Sequence, residues 1–195
     1  MKRLRYGNTN TFYIPGDPGG LLVDTDYAGS LQQFFRAIKA AGISTRDISH
    51  LLITHYHPDH CGLAGDLQEL GVKLVIVDHQ LDWVHYSDGI FRRDGLPFKP
   101  VDVDCAQVIT CEESRAFLAS MGLSGELIHT PSHSADSISL ILDDGDCIVG
   151  DLEPMEYLAA YEQNPALERD WEQILRHQPR RIRYAHANEK MIKGN

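Results

Sequence analysis

Leu51-Leu52-Ile53-Thr54-His55-Tyr56-His57-Pro58-Asp59-His60-Cys61-Gly62 is the stretch around which the chain is built. A short apolar run, with the length and composition of a buried strand, ends in three histidines and one aspartate within six positions. His55 and His57 are separated by one residue, so an extended or turning backbone aims both imidazoles to one side. There two nitrogens can reach a single ion at about 2.0–2.1 Å. Asp59 and His60 stand one turn further on, close enough to hold a second ion beside the first. A cluster this dense needs partners elsewhere in the chain, and the sequence supplies them at the ends of other predicted strands.

Upstream, Thr11–Ile14 and Leu21–Asp24 read as a hairpin joined by the turn formers Pro15-Gly16-Asp17-Pro18-Gly19-Gly20. Leu31, Phe34, Phe35 and Ile38 recur at helical spacing, and Gly42 stops that helix. The strand Ile48–Thr54 then carries the histidine cluster at its C-terminal end, where open α/β sheets place ligands. Leu63, Leu67 and Leu70 predict a helix starting near Pro58 or Asp59, whose positive end would face the cluster and favour an anionic ligand or developing oxyanion. Leu74–Val77 follows as a buried strand.

Residues 79–110 are the least regular part, with Trp83, Tyr86, Phe91 and Phe98 among glycines and prolines; they read equally as a lid or pocket wall and as aromatics packed on a surface loop. Thr110 to Glu113 fits a capping box before a helix with Phe117, Leu118 and Met121. Leu127-Ile128-His129 enters the polar turn Thr130-Pro131-Ser132-His133-Ser134. Ile138 to Leu142 and Cys147 to Gly150 form two strands about the turn Asp143–Asp146, and the second ends at Asp151. Asn164-Pro165 caps a helix with Leu167, Trp171, Ile174 and Leu175 on one face. Arg181–Tyr184 is a last strand, with His186 at its end. Without repeats, low-complexity segments or linkers, residues 1–195 are expected to form a single domain.

The ordered set Thr54-His55-Tyr56-His57-Pro58-Asp59-His60, Thr130-Pro131-Ser132-His133, Gly150-Asp151 and His186 resembles the metallo-β-lactamase superfamily across most of the chain, and the first piece is most similar to its glyoxalase II type. The resemblance implies an α/β fold, a four-layer αβ/βα sandwich of two mixed sheets with helices on the outer faces. It implies two divalent metal ions, zinc first, with iron or manganese as alternatives. His55, His57 and His133 would hold one ion, Asp59, His60 and His186 the other, and Asp151 would bridge both. Asp59 would also orient the attacking hydroxide or shuttle its proton, the catalytic role assigned to it. Ser132 stands where many relatives carry glycine, Ala185 and Ala187 replace glycines beside the last histidine, and Asp24-Thr25-Asp26 keeps the first aspartate of an Asp-Thr-Gly pattern. Asp24 is read either as a hydrogen-bond partner of a ligand or as a plain turn aspartate.

The implied chemistry is hydrolysis of a small carbonyl substrate, a thioester, lactone or other ester, by a hydroxide bridging two metals. The alternative on the same fold is a mononuclear iron oxygenase of the persulfide dioxygenase type. Composition bounds the partners. The formal net charge is -10 and the pI about 5.4, which opposes attraction to nucleic acids or anionic membranes. A small-molecule substrate, no nucleic acid and no membrane are expected, with residues 83–98 serving either a pocket or a homodimer interface. No secretory signal and no membrane-length apolar run is visible, and Cys61, Cys105, Cys111 and Cys147 lack metal or disulfide spacing, so a reduced cytoplasmic protein is expected. His50, His79, His85, His129 and His177 match no motif position; of these, His79 and His85 alone are candidates for substrate contact.

Overall fold

In the computed structural model residues 1–159 and 164–192 are described. One sheet takes its six strands in sequence order: β1 (Lys2–Arg5), β2 (Asn10–Ile14), β3 (Gly20–Val23), β4 (Ile48–Leu52), β5 (Lys73–Val77) and β6 (Gln107–Ile109). The first three pair antiparallel and β3 to β6 pair parallel. The second sheet contains β7 (Gly125–His129), β8 (Ile138–Leu142), β9 (Asp146–Ile148), β10 (Arg181–Arg183) and β11 (Lys190–Met191), in the order β11-β10-β9-β8-β7. Strands β7 and β9 both run antiparallel to β8, and β10 runs parallel to β9, so β7, β9 and β10 end at the same edge.

Alternation along the strands explains the layers. Leu21, Val23, Leu52, Val75 and Val77 face the second sheet and pack on Leu127, Leu140 and Ile148. Their neighbours Leu22, Leu51, Leu74 and Ile76 face the opposite side, under helices. Those helices are α1 (Leu31–Ala40), α2 (Pro58–Cys61) and α3 (Ala64–Glu69), followed by α4 (Asp88–Arg93). Phe34 and Ile38 of α1 and Leu67 of α3 supply the buried stripe. Helix α5 (Ser114–Ser120) adds Phe117 and Leu118 to the layer between the sheets, and α6 (Pro165–Arg176) covers the outer face of the second sheet with Leu167, Trp171 and Ile174. Four layers of mixed sheets and outer helices result, as the motif resemblance implies.

The local signals behave as their chemistry dictates. Thr110 Oγ1 accepts from Glu113 N at 3.2 Å while Glu113 Oε2 accepts from Thr110 N at 2.9 Å, closing the capping box. Asn164 Oδ1 accepts from Leu167 N at 3.1 Å at the start of α6. Leu175, expected on the buried face, is 39% exposed. Strands β1 and β11 were not anticipated: Lys2-Arg3-Leu4-Arg5 carries one apolar side chain, and edge strands tolerate such charge. Residues 79–110 contain α4 and β6, with Phe91 buried, so most of that segment packs on the first sheet's helical layer.

The single helix expected after the cluster is instead two short ones, α2 and α3. Gly62 interrupts them where the chain presses against residues 26–28; a Cβ there would lie 2.1 Å from Ala28 N. With only four residues in α2, the proposed helix-dipole contribution has no helix to generate it. Gly62→Ala is expected to cost about 1–3 kcal/mol of stability by overpacking, readable in denaturant unfolding. Among the described residues no helix is long and apolar enough to cross a membrane.

Candidate metal centre

The parallel ends of β7, β9 and β10 meet the end of β4 at one edge of the sandwich. His55 and His57 follow β4, His133 follows β7, Asp151 follows β9 and His186 follows β10. Asp59 and His60 lie in α2. All seven predicted residues therefore converge, in three overlapping groups: His55, His57 and His133; His55, His60 and Asp151; Asp59, His60 and His186. Within each group the donor atoms lie within 4.8 Å of one another.

His57 Nδ1 stands 3.1 Å from both His55 Nε2 and His133 Nε2. Two nitrogens bound at about 2.0–2.1 Å to one tetrahedral ion are about 3.3 Å apart, so this spacing suits shared ligation. Asp151 lies between the groups. Its Oδ1 is 3.3 Å from His60 Nε2 and 3.2 Å from His186 Nε2, and its Oδ2 is 3.8 Å from His55 Nε2 and 3.7 Å from His133 Nε2. Asp59 Oδ2 reaches His186 Nε2 at 3.1 Å.

The backbone and a set of buried polar groups hold this arrangement. Asp24, in a left-handed conformation at φ 59°, accepts from Thr54 N at 2.7 Å, from Thr54 Oγ1 at 2.8 Å and from His60 Nδ1 at 3.0 Å. It is the ligand-orienting partner anticipated from the sequence, and it leaves His60 Nε2 to face Asp151. Thr25 Oγ1 donates to His60 O at 2.8 Å. Asn10 Nδ2 donates to Tyr184 O and Ala187 O at 2.9 and 3.0 Å, fixing the turn that carries His186. Gly150 is at φ 56°, and a Cβ there would lie 2.6 Å from Thr54 Oγ1, so a side chain cannot enter between Asp151 and the first ligand loop.

Two carboxylates position the loops and were not singled out from the sequence. Asp136 Oδ2 accepts from Tyr56 N at 2.7 Å, joining the turn after β7 to the His55–His57 loop. Asp170 Oδ2 accepts from Ser132 N at 2.7 Å, joining α6 to the loop that carries His133. Asp170 had a legible signal: it sits beside Trp171 on the apolar stripe of an amphipathic helix, where an aspartate is costly unless it accepts hydrogen bonds.

Two buried atoms have no hydrogen-bond partner here: His60 Nε2 and Asp151 Oδ1. They are 3.3 Å apart without forming a hydrogen bond. Burial opposes charge on His60, but Asp24 and Asp151 outweigh it and carry its pKa up to about 10. The carboxylates of Asp151 and Asp59 beside it carry His186 up to about 10 as well. Burial would raise Asp151, yet His186 and His60 hold it well below the usual carboxylate range. Burial, reinforced by His60, keeps His55 neutral, and burial lowers His133. The first half of the cluster therefore offers neutral imidazole lone pairs, the form a divalent metal requires, whereas His60 and His186 must each give up a proton to hold one.

The metallo-beta-lactamase superfamily profile matches residues 4–178. The chain belongs to that superfamily. Among its superfamily relatives, the beta-lactamase-like protein 2 homolog of Drosophila melanogaster is 27% identical over 186 residues, spanning 92% of this chain and 59% of that protein. An atrochrysone carboxyl ACP thioesterase of Aspergillus fumigatus is 28% identical over 149 residues, 73% of this chain and 30% of that protein. The chain thus spans less than two thirds of the length of either. The solved structure of TTHA1623 in a di-iron-bound form superposes with a TM-score of 0.72 at 20% identity, covering 98% of this chain and 94% of that one, which shows a shared fold.

The remaining histidines stay outside the three groups. His79 stacks on His129 with ring centroids 4.0 Å apart, and His85 Nδ1 meets Asp88 Oδ2 at 3.2 Å. Neither borders the cavity next to the cluster. Cys61 is buried, its thiol pushed up to about 12 by that burial, which makes it an inert packing residue. His133→Ala is expected to lower bound metal from two equivalents to one, whereas His129→Ala should leave the stoichiometry unchanged. Metal analysis of both purified variants checks this, and equal losses would contradict the assignment of His133.

Proposed function

We propose that this chain is a metallo-hydrolase that cleaves a small carbonyl substrate, a thioester, lactone or other ester, at a dinuclear centre. His55, His57 and His133 hold one ion, Asp59, His60 and His186 the second, and Asp151 both. The observation that carries this reading is the unpartnered pair of buried atoms, His60 Nε2 and Asp151 Oδ1, within a set of imidazoles and carboxylates. The presence of a complete second group favours two ions over a single iron. Imidazole and carboxylate donors suit zinc, iron or manganese. The di-iron-bound relative supports iron as a resident alternative to zinc, and the thioesterase relative supports a carbonyl substrate.

When bound, such ions supply Lewis acidity, polarising a carbonyl oxygen and lowering the pKa of water. The chain's own residues supply the rest. Asp59, kept ionised by His186 although burial opposes it, accepts the proton of the attacking water and returns it to the leaving group. Asp24 fixes the ring orientation of His60, and Asn8 O accepts from His186 Nδ1 at 3.3 Å to orient that ring. Thr9 Oγ1 donates to Asp59 O at 2.7 Å and so anchors the proton acceptor's backbone.

The metal-loaded protein should turn over at least one member of a panel of thioesters, lactones and simple esters and lose that activity on chelation. Inert thioesters, lactones and esters together with dioxygen consumption by an iron-loaded protein would replace this reading with the oxygenase one.

A further inference from the structure

Gln80 is fully buried in the 3-10 helix Asp78–Trp83 that follows β5. Its Oε1 accepts from Val77 N at 3.1 Å, which fastens the side chain to the end of β5. Its Nε2 donates to Ile53 O and to Asp136 O, both at 3.0 Å, and Thr54 O lies within reach at 3.3 Å. An N–H on one side and carbonyls on the other leave a single orientation of the amide, so the partners themselves assign its oxygen and nitrogen ends. An amide is also the side-chain group that offers an acceptor and two donors together at this reach.

The partners of Gln80 lie at the roots of two ligand loops. Ile53 and Thr54 immediately precede His55, and Asp136 lies three residues beyond His133. The Asp136 carboxylate in turn accepts from Tyr56 N at 2.7 Å, between His55 and His57, and from Ser134 Oγ at 2.8 Å, beside His133. A chain of bonds therefore runs from β5 through Gln80 to the backbone next to all three histidines of the first group. The second group is held from another direction, by Asp24 on the His60 ring, Thr25 on the His60 carbonyl and Asn10 on the turn that carries His186.

We propose that Gln80 is a positioning residue for the first ion, fixing the His55–His57 loop and the His133 loop to each other, an inference that rests on the seven-ligand reading above. Without the amide, Ile53 O and Asp136 O are buried acceptors that have lost a donor, and the two loops lose their common anchor. Losing a group that orients ligands weakens metal binding by about 10–100-fold. That loss falls on the ion of His55, His57 and His133 and spares the ion of Asp59, His60 and His186.

The test uses two one-site proteins, His186→Ala, which keeps the first ion, and His133→Ala, which keeps the second. Competition with a chromophoric chelator measures zinc affinity in each, with and without Gln80→Met, a change of similar volume that removes the amide. In His186→Ala the added substitution should weaken zinc by about tenfold or more. In His133→Ala it should leave zinc affinity unchanged. Ile38→Ala, which removes a buried side chain from the last turn of α1, should lower the melting temperature and leave both affinities alone, separating lost stability from lost positioning. A measurement that needs no substitution is hydrogen exchange at the Gln80 side-chain amide, which should be about a hundredfold slower than at the exposed Gln32 side chain in metal-free protein.

Equal losses at the two sites, or no loss at the first, would overturn the positioning role while leaving the seven-ligand reading intact. Exchange at Gln80 as fast as at Gln32 would overturn it as well, even where Gln80→Met is too unstable to purify. Failure of both one-site proteins to bind zinc would overturn the two-ion reading and this inference with it.

Discussion

Asp151→Ala is expected to fold and to lose turnover by about a hundredfold to a thousandfold, the range that follows removal of a group stabilising transition-state charge. Its side chain stands among four imidazoles, with its two oxygens 3.2–3.8 Å from their Nε2 atoms, so no other residue can replace the charge that joins the two groups. Bound metal should fall below two equivalents. Circular dichroism and thermal melting separate this from unfolding. A companion effect appears in protein stripped of metal. His60 and His186, carried up to about 10 from an ordinary value of 6.5, contribute stability that is fully present below about pH 6.5 and is lost as pH rises toward about 10. Asp151 is a large source of both shifts, so the variant should show a flatter loss across that window. A slope as steep as that of the unmodified protein would contradict its electrostatic role.

Asp24→Asn should be the most damaging change outside the seven ligands. Asp24 is 1% exposed and accepts three hydrogen bonds, from Thr54 N, Thr54 Oγ1 and His60 Nδ1. Asparagine tolerates the left-handed backbone found here, so the substitution tests the carboxylate without backbone strain. Its amide nitrogen would face donors, leaving at least one buried N–H or O–H unsatisfied at a cost of about 1–3 kcal/mol. Loss of the carboxylate partner should also weaken metal affinity by about 10–100-fold, through the orientation and basicity of His60. Chemical denaturation of the metal-free protein and competitive chelator titration read the two effects separately. Normal metal affinity would show that Asp24 serves the β3–β4 connection alone.

The cluster was legible because it is built of histidines and aspartates grouped in short motifs beyond strand ends. His55, His57, Asp59, His60, His133, Asp151 and His186 were all singled out by motif, and the structure brings their donor atoms together. Asp24 was legible for the same reason. What the sequence hid are the groups that act through tertiary contact. Asp136 lies 80 residues from Tyr56, whose N–H it accepts, and Asp170 lies 38 residues from Ser132. Neither bond leaves a local pattern.

The fold followed a similar division. Strands that are short apolar runs, such as β4 and β5, were plain from the sequence, whereas β1 and β11 carry too few apolar residues to stand out. The break between α2 and α3 was hidden because Leu63 and Leu67 keep helical spacing while the close approach of residues 26–28 to Gly62 is set by the tertiary structure. The cavity beside Asp151 and His186 was invisible for a related reason: Leu152 and Pro154 follow β9 while Tyr184 and Ala187 follow β10, and only the parallel pairing of those strands places them together.

We propose that seven side chains form one centre for two metal ions. The deciding measurement is metal analysis of protein purified without added metal or chelator, followed by titration of stripped protein with zinc and with iron. Two equivalents are expected in the unmodified protein, with His133→Ala and His186→Ala each retaining about one. A single equivalent in the unmodified protein, or two equivalents retained by both variants, would contradict it.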